Sequence, residues 1–440
     1  MLTSAALLRA LPVGGLVLAQ RAVQALAGLT TMVVISHFVN SEEQGWYYTF
    51  LSLAALYTLA DLGLSVVLVP LFAKHFAVAR LLKGGKVTGE GEPFLGQLLG
   101  RTVRWYGGLA GGFIALVLPG GALYFSLLSN DALAWGVPWS VVIAAGGGML
   151  LLIPFMAFVE GAGQIRALSV MRLQQTLLGG CGCWFMLVEG HELWAAVMMP
   201  SAAVLVPGLW LFGRWRGLLG LAWRNNGREI NWRRDILPLQ WRLGVSWACA
   251  YFTTQIYTPI LMHTQGAVVA GQMGLSLAIM TMIGFLGQSF LARRVPMMAQ
   301  AAARRDFVAL DAAFRRDFLF FSASYAAAGL GLVLLKLALS GTVYATRVLP
   351  FWQLVGLLGV VFVNQVVGVL GTYLRSFLYE PLTKVNLVAT LVAVPLAVAA
   401  AAHSSAAVIA ALLAVALSIN FPWACAIWWR ERRRWRAGQV

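Results

Sequence analysis

The sequence predicts an all-α polytopic membrane protein of about twelve transmembrane helices in two six-helix bundles, with both termini cytoplasmic. Three observations carry that reading. Of its 440 residues 60% are hydrophobic and only 11% charged, a balance that ordinary soluble globules do not show. Apolar stretches of roughly 20 residues, the length that crosses about 30 Å of hydrocarbon, recur along the whole chain. Of the 32 Lys and Arg residues, all but Arg21, Lys336 and Arg347 fall in or beside every second connector, and short basic loops stay on the cytoplasmic side.

Each span follows from that alternation. The first, 11–38, comes after Arg9; it is longer than a signal-peptide core and lacks a small-x-small exit, so it reads as a retained span. Glu42 and Glu43 mark the outer turn into span two, 46–72, which ends at an inner segment holding Lys74, Arg80, Lys83, Lys86, Arg101 and Arg104. Spans three and four, 105–129 and 136–159, meet outside near Asp131. Arg166 and Arg172 mark the inner start of span five, 165–188, and Glu189 and Glu192 the outer turn into span six, 193–213. A basic inner segment leads to spans seven and eight, 239–262 and 268–292, and a second one, from Arg293 to Arg316, to spans nine and ten, 318–340 and 350–374. Arg375 and Lys384 lie on the inner side around span eleven, 378–400, and span twelve, 404–429, runs into a basic tail. One missed or extra span would invert this order halfway along, and no inversion occurs.

The domain division follows: an N-terminal bundle 1–213, a basic cytoplasmic or interfacial linker 214–238, a C-terminal bundle 239–429 and a basic cytoplasmic tail 430–440. The longest connectors, 73–104, 214–238 and 293–317, all read as inner loops, and the stretch 224–234 with its flanking Trp223 suits the headgroup region. A net charge of +16 thus describes a cytoplasmic face against anionic lipid, a partner by charge alone. Nucleic acid is not expected, because the basic residues are spread over loops between spans. The four cysteines have no metal-ligand spacing and suit helix packing; no metal or cofactor is expected. Trp46, Trp105, Trp139, Trp194, Trp241, Trp352, Trp428 and Trp429 flank spans and read as an interfacial belt. The chain holds no P-loop, nucleophile elbow or HExxH, which argues against an enzyme and against a self-contained ATP-driven pump.

Ionisable groups within spans are costly in lipid and mark candidate functional sites. Arg21 lies about 15 Å into span one from its inner end near Leu11, and Asp61 about 16 Å into the antiparallel span two, at about 1.5 Å per residue. Opposite charges at one level admit two readings: a structural ion pair, or a wet cavity in which Arg21 meets a phosphate and Asp61 a cation or a sugar hydroxyl. Gln20 and Gln24 flank Arg21 and give the helix a hydrogen-bonding side, which favours the cavity. These four residues form the candidate substrate path, with Asp61 nominated for ion coupling. A second polar group, Glu160, Gln164, Arg166, Arg172, Gln174 and Gln175, sits at the inner ends of spans four and five. It either extends a cationic path from the cytoplasm or, for Arg166 and Glu160, serves only as topology signal and partner.

The remaining intramembrane polar residues have plainer readings. Lys336 snorkels to the outer interface, and Arg347 lies near the outer surface. Asn364, Gln365, Asn386 and Asn420 join helices by hydrogen bonds. His37, His191, His263 and His403 fall near outer connectors, where interfacial placement is sufficient explanation.

Several short segments carry a family resemblance. Glu43-Gln-Gly-Trp-Tyr-Tyr-Thr-Phe-Leu-Ser-Leu followed by Ala60-Asp-Leu-Gly-Leu64 looks like the first hairpin of Wzx-type polysaccharide flippases, within the multidrug/oligosaccharidyl-lipid/polysaccharide (MOP) exporter superfamily. Val159-Glu-Gly-Ala-Gly-Gln-Ile165 resembles that family's turn between spans four and five. Leu237-Pro-Leu-Gln-Trp-Arg242 and Ala270-Gly-Gln-Met-Gly-Leu-Ser276 resemble the opening of its second half. The resemblance implies two six-helix bundles in a V, alternating access, and export of an undecaprenyl-pyrophosphate-linked oligosaccharide, a precursor of surface polysaccharide such as O-antigen, across a bacterial inner membrane. It also implies a cationic cavity for the pyrophosphate head group, which Arg21 matches by position and Arg172 more loosely, and other polysaccharide-assembly proteins as partners. Three alternatives stand beside it: a MATE-like multidrug or cation antiporter on the same fold, a membrane-embedded glycan polymerase or ligase, and a scaffold of a polysaccharide-synthesis complex. The short outer connectors weigh against the polymerase, which needs an external loop to act on glycan.

Overall fold

A computed structural model of the chain describes residues 13–61, 63–128, 134–223, 237–292, 295–377 and 381–436. The basic stretch 224–234, Arg9, Asp131 and Arg293 lie outside the described residues. What is described is almost entirely helical, and among those residues nine helices are long and apolar enough to cross a membrane. The protein is therefore multi-pass.

The helices form two compact units, one of residues 1–39 and 50–251, the other of 40–49 and 252–440. In the first unit span one is α1 (Val13–Phe38). Span two is broken into α2 (Ser41–Ala54), whose residues 41–49 belong to the second unit, α3 (Tyr57–Asp61) and α4 (Leu64–Phe76). Asn40 starts α2 through a reciprocal cap: its Oδ1 accepts from Glu43 N at 2.9 Å while its own N donates to Glu43 Oε2 at 3.0 Å, satisfying two backbone donors at the helix start. Then come strands β1 (Ala79–Leu81) and β2 (Val87–Gly89), an antiparallel hairpin pairing Arg80 with Thr88. Four long helices follow: α5 (Glu92–Leu128), α6 (Gly136–Gly161), α7 (Ile165–Val188) and α8 (Glu192–Arg214). After the short α9 (Gly217–Trp223), α10 (Leu237–Thr254) begins span seven. Span five, α7, is continuous, but its first half carries Arg166, Arg172, Gln174 and Gln175 and is correspondingly less apolar.

The second unit continues with α11 (Tyr257–Thr264), the rest of span seven, then α12 (Ala267–Ala292), α13 (Val295–Ala303) and α14 (Phe307–Ala338). The one-turn α15 (Val343–Thr346) leads to α16 (Phe351–Arg375) and α17 (Thr383–Ala401). Span twelve is α18 (Ser405–Val415), a π turn over Ala416–Asn420, and α19 (Phe421–Arg436). Its core is aromatic: Phe314, Phe321, Tyr373, Trp428 and Trp435 pack together across α14, α16 and α19.

Three expectations need correction. The segments read as inner loops carry regular structure: 73–104 holds the β1–β2 hairpin and the first turns of α5, and 295–317 holds α13 and the start of α14. At 37 residues α5 is about 55 Å long, well beyond the hydrocarbon thickness, so Arg101 and Arg104 ride on a helical extension. Two of the flanking tryptophans belong to the core, not to the interface. Trp46 and Trp139 are buried, and Trp139 packs against Phe50 and Phe125 while donating from Nε1 to Leu118 O at 3.0 Å; an indole buried in that way fills volume and still satisfies its one donor. Arg347, finally, is only 7% exposed. Its Nη1 donates to Ser41 Oγ at 3.2 Å, and its carbonyl accepts from Gln44 Nε2 at 2.9 Å. Proximity to the outer surface did not keep it in water, because the 41–44 turn folds over it.

Candidate functional site

The break in span two builds the site. Around Leu56 the backbone bonds tighten to three-residue spacing, Leu56 N to Leu53 O, Thr58 N to Ala55 O and Leu59 N to Leu56 O, and Thr58 Oγ1 caps Ala55 O at 2.7 Å. Gly63, at φ 66°, then supplies the left-handed residue that restarts the helix as α4. The single turn α3 lies between these interruptions, and Asp61 ends it. Such discontinuous helices recur where transporters bind their cargo, since freed backbone is tolerated only beside a cavity or within protein.

Asp61 is 5% exposed and both carboxylate oxygens are engaged. Tyr106 of α5 donates to Oδ1 at 2.5 Å, and Ser65 of α4 donates to Oδ2 at 2.7 Å. Two hydroxyl donors stabilise the charge without neutralising it. Among the described residues no ion pair joins Asp61 to Arg21. The hydroxyls take the place that the ion-pair reading gave to the arginine.

Beside Asp61 opens a cavity of about 450 Å³. Tyr57, Thr58, Ser65, Arg172 and Gln175 are its polar lining, with Met149, Met156, Met171 and Trp247 among the apolar walls. It thus brings together Asp61 and Arg172, which the sequence placed in separate groups. Arg172 is held by Glu160: Nη2 to Oε2 is 2.8 Å, with both side chains partly exposed. A pair so solvated contributes at most about 1 kcal/mol to stability, so Arg172 remains available to an anionic ligand. The turn that joins α6 to α7, and carries Glu160, is a Schellman cap, Gln164 N to Val159 O and Gly163 N to Glu160 O, with Gly163 at φ 76°.

The remaining predicted residues are not in this lining. Gln20 is buried, whereas Arg21 and Gln24 are exposed on α1. Arg21 lies eight residues into that helix, about 12 Å along its axis. Arg166 is exposed at the start of α7. Sequence reasoning missed Tyr57, Ser65, Tyr106 and Trp247. A signal existed for Tyr106: a tyrosine inside a span needs a partner for its hydroxyl, and a carboxylate in a neighbouring span is an obvious acceptor.

The second unit has its own polar contacts. Asn420 Nδ2 donates to Asn364 Oδ1 at 2.9 Å at the π turn, the helix-joining role expected of both. Lys336 Nζ donates to Ala345 O at 3.0 Å and so closes the outer connector.

No protein-family model matches the sequence, and no curated protein does. Solved structures do match. A multidrug resistance MATE-family transporter of the MOP superfamily, in an inward-facing conformation, superposes with a TM-score of 0.65 over 93% of this chain and 96% of that one. The fold is that of MOP-superfamily transporters. A eukaryotic MATE transporter gives 0.64 over 97% of both chains, and the lipid II flippase MurJ 0.58 over 93% and 86%. Identities are 12%, 13% and 12% respectively. At that distance the MOP likeness concerns the fold, and the chemistry must come from the side chains described above.

Proposed function

We propose that this MOP-fold protein is a flippase that exports an undecaprenyl-pyrophosphate-linked oligosaccharide across a bacterial inner membrane by alternating access. The carrying observation is Arg21: a guanidinium exposed well inside a spanning helix, with no ion pair to a described residue. Against lipid that position is costly, which favours a hydrated path for the group, where its planar fork suits a phosphate. Gln24 shares its exposure, and Arg172 lines the cavity in the same unit. Thr58, Gln175 and Asp61 there offer hydrogen-bonding partners for sugar hydroxyls. Asp61, clasped by two hydroxyls, is the carboxylate for proton or sodium coupling. The likeness to the lipid II flippase supports a lipid-linked cargo.

The test is deletion of the gene followed by analysis of lipid-linked intermediates and surface polysaccharide. Accumulation of a complete lipid-linked repeat on the cytoplasmic side is the expected result. Unchanged glycan with altered drug sensitivity instead identifies a MATE-like exporter. That second reading has one observation in its favour: methionines, Tyr57 and Trp247 line the cavity beside Asp61, a polarisable, aromatic lining that suits organic cations.

A further inference from the structure

A groove in the second unit, distinct from the site above, has the dimensions and charge of a lipid site. It encloses about 830 Å³ between α14 and α19, with α16 as its floor. Phe314, Phe318, Val366, Leu370, Phe421 and Trp429 line it. On α19 the lining runs from Phe421 to Arg432, about 16 Å of helix, close to half of the roughly 30 Å hydrocarbon thickness. The groove is thus one leaflet deep.

Its chemistry is graded along that length. The Phe421 end is apolar, and the other end, which the sequence places at the cytoplasmic face, carries Arg315, Arg432 and Asp311. The carboxylate is already satisfied. Arg432 reaches it twice, Nη2 to Oδ2 at 2.7 Å and Nε to Oδ1 at 3.2 Å, Tyr373 donates to it at 2.8 Å, and Arg436 also contacts it. Arg432 lies over Trp428 and Arg433 over Trp429, at 5.1 and 5.0 Å from the ring centroids. Arg315 is exposed and has no ion pair among the described residues. The mouth therefore has an excess of cationic charge, Arg432 held in place by Asp311 and Trp428 and Arg315 free to meet a ligand, next to a tryptophan at headgroup level.

We infer that this groove binds an anionic phospholipid of the cytoplasmic leaflet, its acyl chain against Phe318 and Phe421 and its headgroup phosphate at Arg315 and Arg432. Basic pockets between spanning helices on the cytoplasmic side select anionic headgroups by this arrangement. A zwitterionic headgroup brings no net charge to match the excess at the mouth. A polyprenyl chain is much longer than one leaflet is deep, which makes the groove a poor match for the exported carrier lipid.

The experiment is native mass spectrometry of the full chain in detergent, titrated in parallel with phosphatidylglycerol and phosphatidylcholine. The wild type should retain phosphatidylglycerol preferentially. Arg315→Gln should lower its affinity roughly fivefold, the effect of losing one cation near an anionic surface. Ala426→Trp, which fills the groove from its exposed wall, should reduce retention of phosphatidylglycerol with the Arg315 side chain intact. Equal retention of the two lipids, or retention unchanged in both variants, overturns the proposal. Neither variant touches Arg21, Asp61 or Arg172, so this result is independent of the export assay.

Discussion

Tyr106 donates a 2.5 Å hydrogen bond to Oδ1 of Asp61, joining the middle of the longest helix of the first unit to the broken turn of span two. With Ser65 on the other oxygen, the carboxylate is oriented by hydroxyls alone. The two hydroxyls can remain donors whether a proton or a sodium ion arrives and leaves, which makes the cluster suitable for coupling.

Two variants separate coupling from architecture. Asp61→Asn keeps the volume and removes the charge; it should leave the protein folded and abolish gradient-driven export. Tyr106→Phe removes one hydrogen bond to a charged group and should cost about 1.5–3 kcal/mol of stability, while retaining the carboxylate and therefore measurable transport with an altered pH or sodium dependence. Flux into proteoliposomes under imposed proton and sodium gradients reads both. Full coupled flux in Asp61→Asn removes Asp61 from the mechanism.

For Arg21 the expected outcome is loss of export with normal membrane abundance in Arg21→Ala, and partial recovery in Arg21→Lys. The lysine restores the charge but not the planar, bidentate geometry that suits phosphate. Surface glycan is read by immunoblot beside an abundance control. Normal glycan display in the alanine variant sinks the assignment of Arg21 to the substrate path.

Arg347 should behave as a structural residue. Replacing it with Met removes the bond to Ser41 and the guanidinium while its backbone carbonyl still receives Gln44. A loss of about 1.5–3 kcal/mol, seen as a lower melting temperature in detergent, is expected with export retained in the folded fraction. Gln44→Ala should be comparably harmful, since it leaves the carbonyls of Gly271 and Arg347 without that donor. If melting is unchanged in both variants, the 41–44 turn is held by other contacts.

The sequence was most legible where the physics is one-dimensional. Apolar length and alternating basic connectors made the helical multi-pass class legible, because the hydrocarbon thickness imposes apolar length locally; nine of the described helices are long and apolar enough to cross a membrane. Those signals could not reveal that spans two and seven are broken, since Leu56-Tyr57-Thr58 and Ile256-Tyr257-Thr258 are apolar enough to continue a helix and no proline marks the first break. Site geometry was legible only in part. Asp61 and Arg172 stood out as intramembrane charges, but their shared cavity depends on how α3, α6 and α7 pack. Arg347 and Trp139 were misread for one reason: flanking position does not disclose what folds over a side chain.

The Asp311 cluster makes a pH prediction whose sign is fixed by its surroundings. Asp311 lies on the part of α14 that precedes the spanning residues 318–340. Burial alone raises its carboxyl, but hydrogen bonds from Arg432 and Tyr373 and the charges of Arg432 and Arg436 outweigh that and hold it below the usual carboxylate range. A group depressed in the folded state contributes stability that is fully present above its unfolded value, about 3.9, and is lost as pH falls through the folded value. The second unit should therefore lose stability as pH falls below about 4, and Asp311→Asn should flatten that part of the profile while lowering stability at neutral pH. Melting curves from pH 7 to pH 3 for both proteins check this. Parallel profiles would mean that Arg432 and Arg436 find other partners when the carboxylate is gone, and that the ion cluster at the end of α19 is not what holds it to α14.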